Sequence, residues 1–181
     1  MISAEQAANA LKEADATERC SFEAYSYSMA APYCFIWGLV WLLGYGAEAL
    51  LPREHPAWMW MVISMAGALA SVLIGRRQNA RRPGKSWRMG ALFAIHWIFS
   101  FFLFTIWHPT DIQPAAYLPL LFAAIYTAIG LWLGLRNILV GVFMGVSTLV
   151  AYFYLREYFF HWMALVGGGS LLLTGLWMRK A

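Results

Sequence analysis

Charge is what this 181-residue chain has least of. Asp, Glu, Lys and Arg make up 12% of it, hydrophobic residues make up 61%, and the mean hydropathy is +0.58. A soluble domain is roughly half apolar and carries about a quarter charged residues. So few charges cannot cover a water-facing surface, which excludes a soluble globular domain, a disordered chain and a nucleic-acid-binding module. Cysteine is scarce as well. Cys20 and Cys34 are too few for a disulfide framework. The chain does not open with a basic segment, a short apolar run and a small-residue cleavage site, so no cleaved signal peptide is expected. It has no nucleophile elbow, Walker loop, dinucleotide fingerprint or haem-attachment motif. Carboxylates are missing from the middles of its apolar runs, which argues against an ion-driven pump.

What is present is a set of long apolar runs. Roughly 20 residues of helix cross about 30 Å of hydrocarbon. Six stretches meet that length: 32–51, 57–75, 89–107, 117–135, 138–155 and 159–178. They are continuous rather than alternating, so they read as helices and not as barrel strands. The expected fold is all-α: a polytopic membrane protein with six transmembrane helices spanning 32–178, behind a head of residues 1–31 and before a tail of residues 179–181. One long helix over 117–155 would put Arg136 near the bilayer midplane, at a cost of roughly 2.5–3.5 kcal/mol. A turn at Arg136-Asn137 avoids that cost, because Asn tolerates the left-handed backbone a tight turn needs.

Orientation follows from Lys and Arg in the short loops. With a cytoplasmic amino terminus, eleven of the thirteen basic residues fall inside, and only Arg53 and Arg156 fall outside. Both termini are therefore expected in the cytoplasm. The head carries Glu5, Glu13, Asp15, Glu18 and Glu23 against Lys12 and Arg19. Ser3 and Gln6 have the spacing of a capping box, and few helix breakers follow before Pro32. The head reads either as a solvated helix leading into the first span or as a docking helix for a partner or for the chain's own basic loop. That loop holds Arg76, Arg77, Arg81, Arg82, Lys85 and Arg88. Its charges set topology, and they are also candidates for anionic lipid headgroups.

Four glycines form a second pattern. Gly130 and Gly134 make a G-x-x-x-G in the fourth span, and Gly141 and Gly145 make another in the fifth. A turn at Arg136-Asn137 would set Gly134 level with Gly141 and Gly130 level with Gly145, two facing layers of a helix-packing seam. Gly67, Ser71 and Gly75 form a similar stripe on the second span, and Gly167, Gly168 and Gly169 leave a bare stretch in the last. His96 is the ionisable group deep in a span, about 10 Å from its inner end, with Ser100 one turn further on. It is a functional candidate by its location; the alternative is a neutral imidazole bonded to Ser100 or to a nearby carbonyl. His55, His108 and His161 all fall on the outer side. Together with Asp111 they are a candidate site for a divalent transition metal. No paired spacing fixes two of them on one helix, and His-Pro at 55 and 108 also reads as turn chemistry. No other cofactor is expected.

The first span opens Pro32-Tyr-Cys-Phe-Ile-Trp37-Gly38 and continues through Trp41 to Gly44-Tyr45-Gly46. It resembles the opening of an uncharacterised family of six-helix bacterial inner-membrane proteins with a short cytoplasmic head. The resemblance implies a bacterial inner membrane and no activity. The leading functional expectation is a small non-enzymatic accessory or regulatory subunit whose head meets a cytoplasmic or membrane protein partner. A small-solute transporter or channel comes second, and a metal-dependent membrane enzyme using the outer histidines comes third.

Overall fold

The computed structural model describes residues 3–51, 58–80, 87–108 and 112–179. Nearly all of them are helical, in the order α1 (Ala4–Leu50), α2 (Trp58–Ala80), α3 (Trp87–Trp107), α4 (Gln113–Leu133) and α5 (Leu135–Tyr154). A final rod follows, made of a 3₁₀ turn (Arg156–Tyr158), α6 (Phe159–Trp162), a π-helical stretch (Met163–Gly168) and α7 (Gly169–Arg179). Among the described residues five helices are long and apolar enough to cross a membrane, and α3 contributes a shorter apolar stretch, Ile98–Trp107.

The head and the first span are one helix. Ser3 caps α1 by accepting from the Gln6 amide at 3.2 Å, and the Gln6 side chain accepts from the Ser3 amide at 3.0 Å. From there 47 residues run unbroken through Pro32. At 1.5 Å per residue that is about 70 Å, more than twice the hydrocarbon thickness of a bilayer. Residues 9–18 of this helix are exposed, while Ala31, Cys34, Val40, Trp41 and Tyr45 are buried. α1 is the hub of the bundle, with α2 against it on one side and the final rod on the other.

The α4–α5 connection departs from the sequence expectation. The break falls at Gly134, not at Arg136-Asn137, and α5 has already begun at Leu135. Gly134 sits at φ 109°, ψ 164°, a region that only glycine occupies readily. Its amide donates to the Gly130 carbonyl at 3.0 Å, and its carbonyl accepts from the Asn137 amide at 3.2 Å. This is not the left-handed conformation that Asn tolerates, so Gly134→Asn should lose about 1–3 kcal/mol of stability in detergent, as much as Gly134→Ala. A Gly134→Asn variant as stable as the parent would contradict this turn geometry.

Moving the turn moves the helix register. Gly130 faces Ile138, Gly141 faces Thr127 and Gly145 faces Ala123, each pair lying equally far from Gly134 on either side. The expected glycine-on-glycine layers are therefore replaced by glycine against a larger residue, and Gly134 itself forms the turn rather than a layer. The second-span stripe faces α1: a Cβ at Gly67 would meet Val40, and one at Gly75 would lie 3.2 Å from the Tyr33 hydroxyl.

The tightest seam joins α1 to the final rod. A Cβ on Gly168 would lie 2.8 Å from the Leu42 amide nitrogen and 3.0 Å from the Gly38 carbonyl oxygen. On the facing side, a Cβ on Gly38 would lie 3.1 Å from the Gly168 carbonyl oxygen. Gly168 is thus a point of close backbone approach, while its neighbour Gly167 faces the Met163 and Trp41 side chains; both close the π-helical stretch.

Candidate functional site

The bundle has two chemically different ends. At one of them, Tyr45 is 3% exposed and donates its hydroxyl to the Ala115 carbonyl at 2.7 Å, tying α1 to α4. Trp41, Trp60 and Phe159 meet the Tyr45 ring edge-on, with centroids 5.9, 5.0 and 6.4 Å away. The Trp60 indole nitrogen donates to Glu48 Oε1 at 2.9 Å, so the first-span carboxylate is held by an aromatic donor from α2. Trp162 likewise donates to the Ser147 hydroxyl at 2.9 Å. Amphipathic rings pack their bodies inward here and hydrogen-bond at their polar tips. The cluster fills the interior between α1, α2, α4 and α6 with side chains.

The other end gathers α1 near residues 27–33, the end of α2, the Gly134 turn and the end of α7. Gln78 bridges α2 to α1, accepting from the Tyr33 hydroxyl at 3.1 Å and donating to the Met29 carbonyl at 3.1 Å. Tyr27, Ala31, Cys34 and Met178 form a small buried cluster. Beside it, the Arg136 guanidinium lies 5.1 Å from the Tyr27 ring centre and 4.8 Å from the Trp177 ring centre, and it donates to the Trp177 carbonyl at 3.2 Å. A delocalised, weakly hydrated cation stacks well on such faces. A groove of about 290 Å³ runs from this point between α5 and α7.

The sequence-derived candidates distribute as follows. Ser100 is buried, and its Oγ lies 3.4 Å from the Tyr117 hydroxyl on α4; the side chain of its expected companion His96 lies outside the described residues. Of the outer set, His55 and Asp111 also lie outside the described residues. His108 is exposed at the end of α3, with Nδ1 3.3 Å from the Ile106 carbonyl, and His161 is exposed with its ring 6.3 Å from that of Tyr158. Among the described residues no three His, Cys, Asp or Glu side chains come together as metal ligands would. Arg76 and Arg77 are exposed on the last turns of α2. Arg81, Arg82 and Lys85 lie outside the described residues, as does the side chain of Arg88. Cys20 and Cys34 are free thiols, the first exposed and the second buried.

Sequence reasoning missed the α1–α7 seam and the seating of Arg136. A signal for the seam was available: Ala31 and Gly38 stand seven apart on one face of α1, and Gly168 and Gly175 stand seven apart on the final rod. Arg136 carried no such signal, because its neighbours Tyr27 and Trp177 come from opposite ends of the chain. Comparison with protein-family models, with curated proteins and with solved structures returns no match to this chain.

Proposed function

We propose that the chain is a six-helix protein of the bacterial inner membrane with both termini in the cytoplasm, and that it acts as a non-enzymatic accessory subunit. In this reading the acidic head of α1 receives a cytoplasmic partner while the bundle holds it at the membrane. The supporting observation is the continuity of α1: the exposed head and the buried hub are one unbroken rod, so a partner on the head is positioned directly by the bundle. Residues 4–27 amount to about 35 Å of helix beyond the inner end. The distribution of Arg and Lys supports the cytoplasmic assignment.

The head also specifies the chemistry of its partner. Leu11, Asp15, Glu18 and Phe22 fall on one stripe, two acids bracketed by exposed apolar residues. A matching surface presents basic groups flanked by apolar pockets. A photo-crosslinking residue at Leu11 or Phe22 in the full-length chain should give a discrete adduct in cells. The adduct should vanish when Asp15 and Glu18 are changed to Lys, and none should form from the same probe at exposed Leu69 on α2. Silence at both head positions, or an adduct indifferent to the charge reversal, defeats the proposal. Solute flux into liposomes carrying the protein, above that of empty ones, would favour the carrier reading instead. In the same cells, Cys20 should react with a membrane-impermeant maleimide only after permeabilisation.

A further inference from the structure

We propose that the groove between α5 and α7 binds an anionic phospholipid, with one acyl chain along the groove and the phosphate on Arg136. The proposal shares with the functional reading only the insertion of these helices in lipid, and it requires no partner on the head. The walls are Leu139, Val140 and Phe143 from α5 and Leu173, Thr174 and Trp177 from α7. Leu139, Phe143 and Leu173 are each half exposed or more, so the groove opens outward to whatever surrounds the bundle. From Trp177 to Ser170 at its far end it follows about 10 Å of helix. In lipid, an unfilled groove forfeits dispersion contacts along its length, and a flexible chain recovers them.

Two polar features distinguish this groove from a surface crevice. The first is Arg136, which precedes the lining residues Leu139 and Val140 by one turn of α5 and rests against Trp177 at the groove's end. The guanidinium is held beside the Tyr27 and Trp177 rings and gives one of its five N–H groups to the Trp177 carbonyl. No carboxylate among the described residues pairs with it. The remaining N–H groups form a preset fork of the kind that matches two phosphate oxygens. Arg179, exposed two residues beyond Trp177, adds a second positive charge.

The second feature is Thr174. Thr17, Thr105, Thr127 and Thr148 each donate their hydroxyl to the carbonyl four residues back. Thr174 is only 6% exposed and, alone among the described threonines, has no hydrogen-bond partner. A buried hydroxyl left unpaired is unfavourable. Thr174 lies one turn deeper than Trp177, where the glycerol ester of a lipid anchored by its phosphate at Arg136 brings a carbonyl acceptor. A free phosphate would engage Arg136 but leave the apolar walls and Thr174 unmatched. A zwitterionic lipid would fill the groove but bring its own cation to a cationic mouth.

The test uses the full-length chain, stripped of lipid in detergent and titrated by native mass spectrometry with phosphatidylglycerol and phosphatidylcholine of identical chains. One phosphatidylglycerol should be retained about fivefold more tightly than phosphatidylcholine, the effect of one basic group near the headgroup. Arg136→Gln should bring phosphatidylglycerol down to the phosphatidylcholine level, whereas Arg77→Gln at the end of α2 should leave the preference intact. Thr174→Val should weaken both lipids equally. Leu173→Trp, which alters only the outer wall, should exclude both lipids, and it carries the test if the Arg136 variant does not fold. Equal retention of the two lipids, a preference that survives Arg136→Gln, or undiminished binding to Leu173→Trp would overturn the proposal. Displacement of the bound lipid by millimolar inorganic phosphate would likewise overturn it, revealing a headgroup pocket and not a lipid groove. If the membrane reading itself were wrong, the chain would stay monodisperse without detergent and bind neither lipid, an outcome distinct from equal binding of both.

Discussion

Gly168→Val should destabilise the protein by about 3 kcal/mol, the top of the usual range for overpacking, whereas Gly169→Ala should be neutral or stabilise it by up to about 1 kcal/mol. The two positions are adjacent in a run of three glycines, and only their surroundings differ. A Cβ at Gly168 would press on the Leu42 amide and the Gly38 carbonyl oxygen, and main chain on a packed helix cannot swing aside. Nothing lies within 4 Å of a Cβ at Gly169, where alanine simply restricts the unfolded chain. Gly167 falls between them: its Cβ would touch the Met163 methyl at 3.1 Å and the Trp41 ring at 3.2 Å, and the methionine end can move. Unfolding by SDS in mixed micelles reads both variants. Equal effects at 168 and 169 would mean that α1 and the final rod are not packed backbone to backbone.

The second large effect concerns the hairpin. Gly141→Val should cost about 2–3 kcal/mol, while Gly145→Ala should leave stability unchanged or raise it by up to about 1 kcal/mol. A Cβ at Gly141 would stand 2.6 Å from both the Ala123 carbonyl oxygen and the Thr127 amide nitrogen. Thr127 cannot turn away without giving up its own 2.8 Å bond to that carbonyl. A Cβ at Gly145 would meet only the Ala123 methyl, at an ordinary 3.4 Å. The contrast reports the register directly. With the turn at Arg136-Asn137, Gly145 would face Gly130 and Gly141 would face Gly134, and the two substitutions would cost about the same.

That error of register shows where sequence reasoning stops. A break between the fourth and fifth apolar runs was expected from the cost of Arg136 at mid-bilayer, and the structure has a break there, at Gly134. Cost of insertion constrains depth only to within a turn or so, and both placements of the break keep Arg136 near the end. What selects Gly134 is a backbone conformation that no side chain tolerates, and nothing distinguishes that glycine from Gly130 or Gly145 until the helices are packed. The capping box at Ser3 was legible for the opposite reason. It depends on two residues three apart, and the structure forms both of its bonds. The continuity of α1 through Pro32 lies between these cases. The sequence marks the place where a backbone donor is missing, but a proline near a helix hub is carried by the packing around it.

Composition and spacing decide that the chain is helical, with runs long and apolar enough to cross a membrane, because burial and hydrogen bonding of the main chain are local demands that each apolar run meets alone. They also keep every Lys and Arg away from the middles of the apolar runs, because a charge there is costly to bury. Which helix becomes the hub, which glycine of three touches its neighbour, and that an arginine from the middle of the chain rests beside rings from both its ends are matters of packing alone. Those contacts join residues far apart in order, and their energies depend on distances of a few tenths of an ångström, which no spacing along the chain encodes.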